Sequence, residues 1–394
     1  MTISCPCCAA PLSEPFYRTG PVPVHSCLML ETAEAATAFP TGTVSLAHCS
    51  ACGFITNVDF DPRWSAYAPD YEDQQCFSAT FNSFASGLAR GLIQRYGLSG
   101  KRVVEIGCSK GDFLWLLAKY GGMTGIGIDP STTPGRVRSP DQGSFRLIPE
   151  YYSSRHLDIP ADLLCCRHTL EHIAPVSDTL ALMRAHMDRN PGAVLCIEVP
   201  DSSRIWKTAA FEDVYYEHCS YFTPGSLARA LRRAGFALRD LRREYQDQYL
   251  VAEAVVDPEG GETFAIEESP EDTATGIATY SRRVAAGIAH WRDICDRRGA
   301  LAVWGSGSKC IAFLKAVAPK TPPVAIVDIN PYRAGKYAPG MMIPVSAPGA
   351  LRDFAPEKIV VMNPIYMGEI SALCEKEAIR ADLLSLEPAP HVRL

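Results

Sequence analysis

Residues 101–113 read Lys101-Arg102-Val103-Val104-Glu105-Ile106-Gly107-Cys108-Ser109-Lys110-Gly111-Asp112-Phe113. A short apolar strand runs into a turn that carries Gly107 and Gly111, and a helix is expected from Asp112 to Lys119. The glycines let the backbone approach a ligand closely, and the start of the helix offers N–H groups with no partner inside the helix. Gly125-Ile126-Gly127-Ile128 reads as a second strand that ends at Asp129. A carboxylate at that tip can accept hydrogen bonds from both hydroxyls of a ribose.

The order continues outward on both sides. Residues 80–96 have helical periodicity through Phe81, Phe84, Leu88, Leu92 and Ile93. Residues 162–167 read as the fourth strand, 168–173 as the lead into a helix, and 194–200 as the fifth strand. Ser109 stands where a dinucleotide-binding G-x-G-x-x-G would have its middle glycine. Glu-x-Gly-x-x-x-Gly, then a strand, then an acid is similar to the fingerprint of class I methyltransferases. That resemblance implies an α/β, Rossmann-like domain that binds S-adenosylmethionine. Backbone at Gly107 and Gly111 is expected along the methionine end, Glu105 beneath the sulfonium and Asp129 on the ribose. Cys108, Pro130 and His168 are expected around the same donor, and Glu150-Tyr151-Tyr152 near the adenine. The competing readings are glycines used only for packing, a Rossmann oxidoreductase that binds NAD, and a zinc-ribbon nucleic-acid binder with a degenerate enzyme domain.

Length and composition bound the rest. A chain of 394 residues with 47% apolar residues predicts two or three globular domains. No stretch of eighteen apolar residues is present, so no membrane span is expected. The net charge of -6 argues against a nucleic-acid partner. The first residues do not read as a signal peptide, and the fifteen cysteines are scattered, so reduced thiols in a cytoplasm are expected. Two cysteine pairs stand apart: Cys5-Pro6-Cys7-Cys8 and Cys49-Ser50-Ala51-Cys52. A C-x-x-C knuckle presents two sulfurs to one tetrahedral ion, and two knuckles close the site. The expected ligands of a structural zinc are Cys5, Cys8, Cys49 and Cys52, with Cys7 and His48 as neighbouring alternatives.

Residues 211–227 are dense in aromatic and titratable groups and lie just past the fifth strand, where this fold places substrate. Farther on, an acidic stretch over 257–272 marks a boundary, and a helix carrying Tyr280, Val284, Ile288 and Trp291 follows. Ala302-Val303-Trp304-Gly305-Ser306-Gly307-Ser308-Lys309 then repeats the strand-to-glycine-turn design, and Val324-Ala325-Ile326-Val327-Asp328 repeats the strand with an acidic tip. A further strand ends at Asn363-Pro364.

Nearly end to end, the chain resembles the sugar C-methyltransferases, which act on nucleotide-linked 4-keto sugars. Members carry Tyr-x-Glu-His after the fifth strand, matched here by Tyr215-Tyr216-Glu217-His218, and a tyrosine ahead of the first helix, matched by Tyr71. The resemblance implies methylation of carbon through an enolate. His218 is the expected base and His172 its rival, with Glu217 orienting the sugar or the imidazole. Tyr71 and Tyr215 are expected on the keto oxygen, and Tyr221 is a weaker candidate. It also implies that Gly305 and Lys309 meet a diphosphate, with Asn363 alongside. A domain used only for packing and a second NAD site are the alternatives there. The chain departs from the pattern after Tyr71: Glu72-Asp73-Gln74-Gln75 replaces a run of serine and glycine. O- or N-methylation of a sugar or other small metabolite in the same cleft is the alternative activity. The expected organisation is a zinc module over 1–65, a methyltransferase domain over 66–256, an acidic linker and helix over 257–298, and a second Rossmann-like domain over 299–394.

Overall fold

The computed structural model describes residues 3–64, 67, 69–133, 135–136, 145–257 and 261–386. The expected helix before the glycine turn runs Ala79–Tyr96. Ser78 caps it by accepting from the Phe81 N–H, and Gly97 ends it in the left-handed conformation. Its buried stripe of Ala85, Leu88, Ala89, Leu92 and Ile93 packs on the helix Asp112–Gly121 and the sheet below.

The central sheet has seven strands in the order Phe236–Glu244, Tyr249–Val256, Val194–Pro200, Leu163–Arg167, Arg102–Ile106, Thr124–Ile128, Phe145–Ile148. The last five are parallel, and the Phe236–Glu244/Tyr249–Val256 hairpin adds antiparallel strands at one edge. Strand order reverses between Arg102–Ile106 and Leu163–Arg167, so a crevice opens at their carboxyl ends. The segment 168–173 leads into a helix, as expected. A single 3-10 turn, Leu170–His172, comes first, and the helix is Val176–Asp188. Pro175 keeps Ala174 out of the helical region, which delays the start.

A second, all-parallel sheet has the order Val345–Ser346, Ala325–Val327, Leu301–Trp304, Lys358–Val361, Asp382–Ser385. It has its own switch point, beside Leu301–Trp304. Between the two sheets in sequence lie the helices Pro270–Ile277 and Tyr280–Asp296.

The N-terminal residues build an antiparallel sheet of Tyr17–Pro23, Thr41–His48 and Ile55–Asn57, whose fourth strand is Ser220–Tyr221 from far along the chain. Ile55 pairs with Tyr221. The segment that carries Glu217 and His218 is therefore anchored to the strand that follows the second cysteine knuckle. One apolar core joins Tyr17, Val44 and Ile55 of this sheet to Trp206, Tyr280, Trp291 and Phe313. Among the described residues no helix is long and apolar enough to cross a membrane.

Candidate active site

The two switch points face one another across a single cavity of about 760 Å3. Its wall runs from Gly107 and Asp129, past His172, Tyr215 and His218, to Gly305, Asn330 and Asn363.

At the central turn, Gly107 has φ 69°, and a Cβ there would lie 1.9 Å from Thr169 Oγ1, so only glycine fits. Asp129 Oδ2 accepts the Ser109 N–H at 2.9 Å and Oδ1 accepts the Ser131 N–H at 2.6 Å. Each oxygen keeps a further lone pair for a ligand hydroxyl. Glu105 lies buried under the turn, and its Oε2 has no partner. Burial lifts its carboxyl to about 8 against the pull of Arg167. Behind it, Glu198 takes two hydrogen bonds from Arg167, at 3.0 and 3.1 Å, and stands 2.6 Å from His168 Nε2. Burial pushes the Glu198 carboxyl up, but Arg167 and the contact with His168 outweigh it and hold it at about 2. Cys108, Pro130 and His168 line the cavity, as do Tyr151 and Tyr152. Tyr152 Oη is fixed 2.8 Å from His186 Nδ1. Gly111 is off the wall: it leaves room for Leu147, 3.3 Å from where its Cβ would be. Glu150 is also off the wall, paired with Arg155 at 2.9 Å.

In the middle of the cavity, His218 Nε2 is 2.8 Å from Tyr215 Oη, and its ring centroid is 4.8 Å from that of His172. Burial and the nearby His172 hold the His218 imidazole well below its usual range, so it is neutral at pH 7. His172 Nδ1 lies 3.1 Å from the Glu217 carbonyl oxygen and 2.9 Å from Tyr67 Oη. Glu171, His172 and His218 bring three donor atoms within 4.8 Å of one another, enough to surround a cation.

Three expectations in this segment need correction. Glu217 does not orient the His218 imidazole, because neighbours along the chain point apart. Its carboxylate leaves the cavity wall for His25 Nδ1, at 3.1 Å, and accepts the Tyr71 O–H at 2.9 Å. Burial raises the Glu217 carboxyl, yet the His25 contact brings it below its ordinary value, so it stays ionised. Tyr71, which lines the cavity, thus spends its O–H on the Glu217 carboxylate and presents oxygen lone pairs to the cavity instead of a donor. Tyr221 is not on the wall at all. It is packed in the core against Trp206, because its strand is pinned to Ile55. His25 and Tyr67 were missed. His25 lies 192 residues from its partner, and no local pattern marks it.

At the far end, Gly305 has φ 99° and opens the second turn. The Ser306 N–H and O–H both go to Asp328 Oδ2, at 2.8 and 2.7 Å. Arg333 is buried there, 3.0 Å from Ser306 Oγ and hydrogen-bonded to the Glu72 carbonyl. Lys309 lines the cavity, but its ammonium is 2.8 Å from Asp213, which Arg204 also contacts. The Asn330 Nδ2 group is buried without a partner. Asn363 exchanges a pair of amide hydrogen bonds with Gln248 across the two domains, at 2.9 and 3.0 Å.

Away from the cavity, the sulfurs of Cys5, Cys8, Cys49 and Cys52 lie within 4.8 Å of one another. Cys5–Cys52 is 3.8 Å and Cys8–Cys49 is 3.5 Å. These are not disulfide distances, and a tetrahedron with zinc–sulfur bonds of about 2.3 Å has edges of roughly 3.8 Å. The donor set fits a closed zinc site. Cys7 and His48 lie outside this set.

Comparison with known proteins gives the same two halves. Residues 81–241 match the methyltransferase domain, and residues 285–381 match the C-methyltransferase C-terminal domain. The chain is 26% identical over 325 residues to the C-methyltransferase NovU of Streptomyces niveus, covering 77% of this chain and 76% of that one. A solved 1,6-didemethyltoxoflavin-N1-methyltransferase of Burkholderia thailandensis, with S-adenosylhomocysteine bound, is 18% identical, with a TM-score of 0.34 over 52% of this chain and 96% of its own. An S-adenosylmethionine dependent methyltransferase of Mesorhizobium loti is 15% identical, with a TM-score of 0.33 over 44% of this chain and 98% of its own. Structural likeness at that level carries no argument about chemistry; the domain matches and the glycine turn do. The chain is an S-adenosylmethionine-dependent methyltransferase of the class I Rossmann-like fold, with a second α/β domain behind it.

Proposed function

We propose that the enzyme methylates a carbon beside the ketone of a nucleotide-linked sugar, through an enolate formed by His218. The observation that carries this reading is the His218–Tyr215 pair: a neutral, buried imidazole and a phenol 2.8 Å apart on the wall between the two glycine turns. With His218 Nε2–H donating to Tyr215 Oη, the Nδ1 lone pair is available to take the α-proton. Tyr215 keeps its own proton, since burial raises the phenol well above its usual range, and can donate it to the oxygen where the enolate charge develops. S-adenosylmethionine, when bound, supplies a methyl group on a positively charged sulfonium. The central turn and Asp129 orient it, and the aromatic wall excludes water. Tyr71, its proton already committed to Glu217, suits a substrate hydroxyl rather than the ketone.

The second turn offers Lys309 and the backbone after Gly305 to a diphosphate, and the unpaired Asn330 amide to a nucleotide hydroxyl. We also assign a structural zinc to Cys5, Cys8, Cys49 and Cys52, on the fit of the four sulfurs. The test is transfer of a labelled methyl group to a panel of nucleoside diphosphate 4-keto sugars in deuterated water. The expected result is a carbon-bound methyl and solvent deuterium at the α-carbon. A product methylated on oxygen or nitrogen, without exchange, replaces this reading with simple heteroatom transfer in the same cleft.

A further inference from the structure

In the loop that departs from the family pattern, Glu72-Asp73-Gln74-Gln75, the last three residues form part of the cavity wall over the central turn. Asp73 Oδ1 accepts the Ser109 O–H at 2.6 Å, which places its carboxylate on the middle residue of the glycine turn, next to Asp129. Asp73 makes no ion pair among the described residues. The nearest ammonium, Lys110, is spent on the backbone carbonyls of Pro69 and Ser131. Gln74 donates from Nε2 to Asp112 Oδ2 at 2.8 Å, and its Oε1 is left buried with no donor. Beneath them, Glu105 is 97% buried by its 3% exposure, lines the same cavity, and also has an oxygen without a partner. Gln74 Oε1 and Glu105 Oε2 thus lack partners beside the Asp73 carboxylate, and a ligand that carries several hydrogens and positive charge would complete all three. Burial lifts the carboxyls of Asp73, to about 6, and of Asp112, which fits a site completed by a cation.

We infer that Asp73 and Gln74 bind the α-ammonium group of the donor's methionine tail. The tail is expected along Gly107, and its ammonium offers three hydrogens to Asp73, to the orphaned Gln74 oxygen and to Glu105. A serine or glycine at position 73 offers no charge, so this enzyme reads the amino end of its donor with a side chain of its own. The inference concerns the donor alone and stands or falls apart from the sugar reading.

The competing role is mechanical: Asp73 only ties the loop to Ser109. Titration calorimetry on the full chain separates the two, using S-adenosylhomocysteine and its deamino counterpart, which has hydrogen in place of the α-amino group. The wild type should bind the amino compound at least about tenfold more tightly. Asp73→Asn should weaken S-adenosylhomocysteine by about 10- to 100-fold, the scale of one charge-assisted hydrogen bond. The same variant should leave the deamino compound within about threefold, and Gln74→Met should show the same selectivity at smaller size. Equal losses for both ligands, or none, overturn the inference. So does a wild type that binds the two compounds alike, a result that needs no variant to fold.

Discussion

The two glycine turns are built alike and charged oppositely. Each follows a central parallel strand, each is opened by a glycine at positive φ, and each has an acid at the tip of the next strand accepting from the turn's serine: Asp129 from Ser109, Asp328 from Ser306. Around the first turn stand Glu105, Asp73 and Asp112, with acceptors left unpaired. Around the second stand Arg333, Arg204 and Lys309 against the two acids Asp328 and Asp213, with an unpaired amide donor on Asn330. Under the proposed function, the same strand–turn–helix unit takes a cationic methyl donor in one place and an anionic diphosphate in the other. The backbone supplies close approach, and the neighbouring side chains supply the sign.

The widest test addresses what lies between the turns. His218→Ala should cost about two to four powers of ten in turnover, the usual scale for a general base, while S-adenosylhomocysteine binds as before. Because His218 is held well below its usual range, kcat/KM should stay level as pH falls to 6.5 and drop only at lower pH, where the imidazole takes a proton. Full turnover in the variant would hand the base role to His172.

The turns themselves should then separate by ligand. Lys309→Met removes the positive group at the second turn, and Arg204 remains to balance Asp213. Binding of a nucleoside diphosphate, followed by calorimetry, should weaken by about 1.5–3 kcal/mol, the scale of a hydrogen bond to a charged group. S-adenosylhomocysteine should not respond. Asp129→Ala should do the reverse, weakening S-adenosylhomocysteine by about 1–3 kcal/mol and sparing the nucleotide. If either variant moved both ligands equally, the division of labour would be wrong.

The sequence carried the backbone half of this comparison well and the side-chain half poorly. Glycine turns, strand tips and cysteine knuckles are local, so spacing alone reveals them. The strands Arg102–Ile106, Thr124–Ile128, Leu163–Arg167 and Val194–Pro200 and the helix Ala79–Tyr96 follow from the same local patterns. The contacts that set charge and orientation are not local. His25 meets Glu217, Arg333 meets Glu72, and Asp73 meets Ser109 only once the chain has folded back. Tyr221 went wrong for a related reason. It sits in a run rich in candidate groups, but strand pairing with Ile55 alternates its side chain into the core while His218 faces the cavity. Composition near a strand end locates a site; which side chains face it depends on partners elsewhere in the chain.

The smallest effect bears on the sign of the first turn directly. Glu105, lifted by burial to about 8 in the free enzyme, is mostly protonated at pH 7. A cation bound above it favours the charged form and lowers that value, so binding must release a proton. Asp73, at about 6, is already mostly ionised at pH 7 and adds little. Calorimetry of S-adenosylhomocysteine in buffers of different ionisation enthalpy should therefore show release approaching one proton at pH 7, fading above pH 9, where Glu105 is ionised without help. By linkage, affinity should rise with pH between 6 and 8, by less than about tenfold per unit for one proton. S-adenosylmethionine, with its additional sulfonium charge, should release at least as much. Glu105→Gln should abolish the release at pH 7, because no other buried carboxyl at this turn is held so high. Binding without proton exchange would mean that Glu105 never faces the donor's positive charge, and the contrast between the two turns would then rest on Asp73 and Asp112 alone.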